Sequence, residues 1–121
     1  MTARSPDQRQ TPRIQPFVAP CRLVAGERRI PGYLSDLSTR GARVSCDEEP
    51  PPVGADVILE VRFGRQVHYS RLPAEVQWVQ AGPEPSSPPD LGLRFKEVSP
   101  KEQKVLEAVV QEFRRRAAQL A

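Results

Sequence analysis

The chain has 121 residues, 38% of them hydrophobic and 27% charged, with a formal net charge of +3, which fits one domain with a modest core and is too short for two of ordinary size. No apolar run approaches bilayer length and residues Met1 to Pro6 lack the apolar stretch of a signal peptide, so a cytoplasmic protein without membrane insertion is expected. Cys21, Cys46 and the lone His68 stand at no metal-ligand spacing and without a recognisable nucleophile–base arrangement; this argues against zinc and against Cys–His or Ser–His catalysis, and leaves two free thiols and a strand-surface histidine as the expectation.

Residues 1–15 read as a basic, mobile leader: Arg4, Arg9 and Arg13 face one acid, Asp7, and Pro6, Pro12 and Pro16 block regular structure. Strand-like sequence runs from Phe17 to Val24, turns near Gly26 and resumes from Arg28 to Leu37, with a bend or bulge expected at Pro31–Gly32. Ala42 to Cys46 is a third short strand. Asp47 to Pro52 is a loop, because three successive prolines remove three backbone donors and the acids favour solvent. Asp56 to Phe63 alternates, with Val57, Leu59, Val61 and Phe63 on one face and Glu60 and Arg62 on the other. After a turn at Gly64–Arg65, Gln66 to Gln80 reads as a long strand with Ala74, Val76 and Trp78 on one side and Glu75 and Gln77 on the other. Gly82 to Asp90 is a Pro- and Ser-rich connection, and Leu91 to Phe95 is a last strand.

Beyond it the period changes. Ser99, Pro100 and Glu102 form a capping-box signature, and Val105, Leu106, Val109, Val110, Phe113, Ala117 and Leu120 then fall on one helical face. Short antiparallel strands followed by one amphipathic helix point to a small barrel whose open end the helix plugs. The domain proper is expected to span residues 16–121.

Fifteen of the eighteen basic residues are arginine, a side chain whose planar fork suits phosphate and purine faces. The positive excess is too small and too interrupted by acids for a broad duplex-DNA footprint. Two arginines stand four apart in Arg9-Gln10-Thr11-Pro12-Arg13, and Asp36-Leu37-Ser38-Thr39-Arg40-Gly41 follows at the end of a strand. Taken separately, these residues fit equally well a pair of solvated charges and a turn closed by side-chain to backbone hydrogen bonds.

Together, in this order and spacing, they resemble the paired motifs of the PilZ family, R-x-x-x-R followed by (D/N)-x-S-x-x-G. The resemblance extends over roughly residues 8–115, through Val76-Gln77-Trp78, Gly92-Leu93-Arg94-Phe95 and the terminal helix. It implies a mainly β protein, a six-stranded antiparallel barrel with a C-terminal α-helix, and a stand-alone receptor for the second messenger cyclic-di-GMP. Such a receptor would pass its signal to an as yet unidentified effector protein, would bind no nucleic acid polymer, and would have no catalytic activity, cofactor or metal.

The implied ligand site is Arg9, Arg13, Asp36, Ser38 and Gly41. Arg9 and Arg13 would clamp phosphate or stack on guanine. Asp36 would accept from guanine N1 and N2 donors or orient an arginine, and Ser38 would donate or accept on the same edge. Gly41 would allow close backbone approach or a positive φ. Arg40 occupies a variable motif position and is left outside the set. Many family members carry a further arginine where this chain has Gln8, which leaves open whether one ligand or an intercalated pair binds. Two other functions compete: a PilZ-like structural or interaction module that does not bind the nucleotide, and a small basic nucleic-acid binder. The last lacks a stacking track, since most of the seven aromatics fall at expected core positions.

Overall fold

A computed structural model describes residues 18–63, 67–96 and 99–120. Six strands and one helix follow in chain order: β1 (Ala19–Ala25), β2 (Arg28–Leu37), β3 (Gly41–Cys46), β4 (Asp56–Val61), β5 (Ser70–Gln80), β6 (Asp90–Phe95) and α1 (Pro100–Leu120). Every neighbouring pair is antiparallel and the order β1-β2-β3-β6-β5-β4 closes on itself, because β1 pairs with both β2 and β4. This is the barrel the alternating pattern predicts.

Inward residues alternate along each strand and fill the lumen, with Leu23, Leu34, Val44, Leu59, Val76 and Leu91 fully buried. The β1–β2 hairpin turns in two residues, Gly26 and Glu27, between the paired Ala25 and Arg28. Gly26 has φ 63°, a left-handed conformation that glycine adopts without the clash a Cβ would create. The capping box forms as expected: the Glu102 N–H donates to Ser99 Oγ at 3.2 Å and the Ser99 N–H to Glu102 Oε1 at 3.0 Å. Leu106, Val109, Val110 and Phe113 of α1 then join the barrel core. No helix among the described residues is long and apolar enough to cross a membrane.

Several expectations need correction. The bulge in β2 falls at Ser35, where the register with β3 shifts between Leu34 and Asp36, while Pro31 and Gly32 stay regularly paired. Strand β5 begins at Ser70, so exposed His68 precedes it and is not a strand residue. Val105 is 41% exposed and sits outside the helix's buried stripe. Trp78 leaves the face it was expected to share with Val76, for a reason given below. Cys21 and Cys46 are buried free thiols, flanking Gly32 on β1 and β3. Burial, each other's proximity and Asp47 push Cys21 up to about 12, while burial and Asp47 push Cys46 up to about 11, so both stay protonated and unreactive at neutral pH.

Candidate ligand-binding site

Two one-residue insertions in the strand ladders build this site. In β2, Leu34 opposes Val44 and Asp36 opposes Arg43, so Ser35 is the extra residue. Strict alternation would send Asp36 inward with Leu34. The bulge instead turns it to the outer face and returns Leu37 to the core, 3% exposed. In β5, Val76 opposes Leu93 and Trp78 opposes Gly92, so Gln77 is extra. Val76 is fully buried, and Trp78, two residues on, is outside and 40% exposed.

The indole lies directly on the backbone of β6, where a Cβ added to Gly92 would come within 2.1 Å of Trp78 Nε1. Glycine at position 92 therefore leaves the ring its seat. Between Trp78 and the β2–β3 turn opens a pocket of about 290 Å³, whose walls include Asp36, Ser38, Arg40, Gln77, Trp78 and Arg94.

The turn is fixed by its own serine. Ser38 Oγ accepts the N–H groups of Arg40 at 3.1 Å and Gly41 at 3.3 Å, and the Ser38 N–H donates to the Gly41 carbonyl at 2.9 Å. The Arg40 carbonyl accepts from the Phe95 N–H at 2.8 Å, tying the turn to the end of β6. Gly41 serves close approach: a Cβ there would sit 2.0 Å from the Leu93 carbonyl oxygen, and Gly41 is absent from the positive-φ glycines, Gly26 and Gly54. The Asp36 carboxylate accepts only the neighbouring Leu37 N–H, at 2.9 Å, among the described residues.

Charge on this face is mostly committed. Arg94 pairs with Glu75 at 3.0 Å and Arg43 with Asp90 at 2.7 Å. Burial opposes the Asp90 charge, but hydrogen bonds from Ser45 and Arg43 outweigh it and hold the carboxyl below its ordinary range. Arg40 is exposed, and its guanidinium has no ion-pair partner among the described residues. The pocket thus offers a carboxylate with one oxygen uncommitted and a guanidinium without an ion-pair partner among the described residues, an aromatic plane and a backbone turn. That is an inventory for a planar heterocycle bearing an anion.

The structure brings Asp36, Ser38 and Gly41 together. Arg9 and Arg13 lie outside the described residues. Sequence reasoning missed Arg40, Gln77, Gly92 and Arg94 as site-lining residues and misplaced Trp78. The pattern Val76-Gln77-Trp78 was visible, but the bulge within it was not.

The family model for the PilZ domain matches residues 7–112. The chain belongs to the PilZ domain family. Three solved structures share the PilZ-like fold. The PilZ domain with c-di-GMP of YcgR from Escherichia coli aligns with a TM-score of 0.67 at 20% identity, covering 84% of this chain and 86% of that one. The PilZ domain of CeSA from a cellulose-synthesizing bacterium aligns with a TM-score of 0.63 at 16% identity, covering 83% and 96%. The Bacillus subtilis inhibitor of motility, MotI/DgrA, aligns with a TM-score of 0.61 at 20% identity over 88% of this chain and 50% of that one. No curated protein matches the sequence significantly. At these identities the structural likeness establishes the barrel-plus-helix fold, and PilZ domains are typically c-di-GMP receptors rather than enzymes.

Proposed function

We propose that this PilZ domain binds cyclic-di-GMP at the Asp36–Trp78 pocket and relays the signal by contact with an effector protein, without catalysis. The observation that carries the reading is the paired bulges, which turn Asp36 and Trp78 out of the barrel onto the same pocket, beside a turn locked by Ser38 and Gly41. A guanine stacked on the indole would present N1–H and N2–H donors to a carboxylate, and Arg40 would meet phosphate. Ser38 Oγ already accepts two backbone N–H groups, and its hydroxyl donates to the Gly41 carbonyl at a long 3.5 Å, a contact that a ligand acceptor would replace.

Arg9 and Arg13 complete the proposed site from residues 1–15, with the barrel and helix as residues 16–121. Ala19 pairs with Leu34, so the chain joins the barrel at the Asp36 end of β2. Four residues separate Val18 from Arg13, and the five Cα-to-Cα steps between them span at most about 18 Å, to which the arginine side chain adds its own length. The family model's match begins at residue 7 and so includes both arginines.

The test is calorimetric titration of the purified protein with cyclic-di-GMP, with GTP and cyclic-di-AMP as controls. Saturable, selective heat at ligand concentrations up to tens of micromolar, about −6 kcal/mol, is expected. Its absence would refute the reading and leave a PilZ module that works through protein contacts alone.

A further inference from the structure

On the side of the barrel formed by β1, β4 and the start of β5, across the ring of strands from the Asp36–Trp78 pocket, arginines crowd around one carboxylate. Arg22, Glu60 and Arg71 form one outward row, since Arg22 opposes Glu60 and Glu60 opposes Arg71. Glu60 is only 2% exposed. Its Oε1 accepts from Arg22 Nε at 2.6 Å, and its Oε2 accepts from Arg71 Nη1. One buried carboxylate therefore holds two guanidinia against the barrel, which lowers the ordering cost of anything they bind next.

Tyr69 adds an aromatic floor. The Arg22 guanidinium stands 4.3 Å from its ring centroid and that of Arg62 stands 5.1 Å from it. Arg62 is exposed and has no carboxylate partner among the described residues. Three guanidinia against one carboxylate leave two positive charges here, whereas pairing with Asp90 and Glu75 neutralises Arg43 and Arg94 on the opposite side. Beside this cluster the surface is hollowed into a pocket of about 260 Å³ lined by Pro20, Cys21, Arg62 and Tyr69.

We infer that this pocket docks an acidic segment of a partner protein, an Asp or Glu carboxylate resting on Arg62 and Arg22 with an adjacent apolar side chain against Tyr69 and Pro20. Charge complementarity selects the carboxylate, and arginine with tyrosine around a concavity is the composition of interface centres. Tyr33, opposite Pro20 in the register and 45% exposed, extends the aromatic margin. A lipid surface would favour projecting apolar groups rather than a hollow, and two charges are few for a nucleic-acid duplex. The surface is separate from the nucleotide pocket, and the inference stands or falls independently of it.

The test titrates the ¹⁵N-labelled 121-residue protein with an acetylated oligoglutamate peptide carrying one leucine. Vesicles of phosphatidylcholine and phosphatidylglycerol and a short DNA duplex are run in parallel. Saturable amide shifts are expected from the peptide at residues 21–22, 60–62 and 69–71. Arg62→Glu should weaken that binding roughly tenfold or more, Arg62→Lys should fall in between because it keeps charge but loses the fork, and Lys101→Glu in the exposed first turn of α1 should bind like the parent. Arg62 is exposed, so its variants should keep the parent spectrum outside the patch. Shifts elsewhere, an Arg62→Glu variant that binds like the parent, or the same residues responding to vesicles or duplex instead of peptide would overturn the inference.

Discussion

Replacing Gly92 by alanine tests the seat of the indole directly. The new Cβ would lie 2.1 Å from Trp78 Nε1, 2.3 Å from Cε2 and 2.8 Å from Cζ2. A carbon contact needs about 3.5 Å, so the ring must lift by more than an ångström or swing away. It can do so because Trp78 is 40% exposed and on the outer face. A tryptophan side chain buries about 150–250 Å² when covered, so uncovering about 75 Å² costs about 2 kcal/mol of stability at about 25 cal/mol per Å². If the indole is also the guanine platform, losing a base stack worth about 1–3 kcal/mol should weaken cyclic-di-GMP binding by roughly 5- to 150-fold. Trp78 is the only tryptophan, so its emission reports the ring without interference. Gly92→Ala should red-shift that emission, lower the urea midpoint modestly, and match Trp78→Ala in lost affinity. Parent-like emission and affinity in Gly92→Ala would refute both the seat and the platform.

Gly41→Ala should be more damaging to the fold, because its Cβ would meet the Leu93 carbonyl at 2.0 Å and backbone cannot swing aside; a loss of about 1–3 kcal/mol or more in denaturant unfolding is expected. Arg13→Ala should cost about 2–4 kcal/mol of ligand binding in calorimetry with the melting temperature nearly unchanged. Arg13→Lys should lose most of that affinity too, and parent-like binding by the lysine variant would reduce the arginine to a positive field. The buried thiols bind their protons more tightly in the folded state, Cys21 up to about 12 and Cys46 up to about 11 against an ordinary 9.0. Stability should therefore hold below pH 9 and fall as pH rises from there toward 11 and 12, where the unfolded chain releases protons the folded one keeps. A Cys21→Ala, Cys46→Ala double variant should flatten that alkaline decline in urea titrations.

The barrel was legible because burial imposes a period of two on each strand, and Val57, Leu59 and Val61 kept it without interruption. The helix was legible from its cap, since Ser99 and Glu102 satisfy each other's backbone N–H through local contacts that sequence alone specifies. The site was legible only where its geometry is local. Ser38 closes its own turn, so the D-x-S-x-x-G spacing predicts it. Trp78 depends on one extra residue in β5 relative to β6, a fact about two strands that no single strand reveals. A faint signal for the other bulge did exist: Ile30, Leu34 and Leu37 are all buried, and the odd step from 34 to 37 breaks the even spacing. The nearby Pro31 and Gly32 drew the bend to themselves, although Gly32 is small for a different reason, a Cβ there meeting the Ser45 carbonyl at 2.4 Å. Glu60 was expected on the polar face, but its burial under two arginines could not be seen, because Arg22 and Arg71 come from strands 38 and 11 residues away.

Ring closure constrains how such a domain can talk to another protein. Strands β1, β3, β4 and β6 are paired on both sides along most of their length, whereas β2 is doubly paired only from Gly32 to Leu34 and β5 only at Ala74 and Glu75. Among the described residues, backbone open to an incoming strand is therefore confined to the singly paired ends of β2 and β5, and everywhere else on the ring a partner would have to recognise side chains or connecting loops. Specificity on such a surface can change one residue at a time without disturbing the hydrogen-bond ladder, which leaves the fold and the choice of partner free to vary separately.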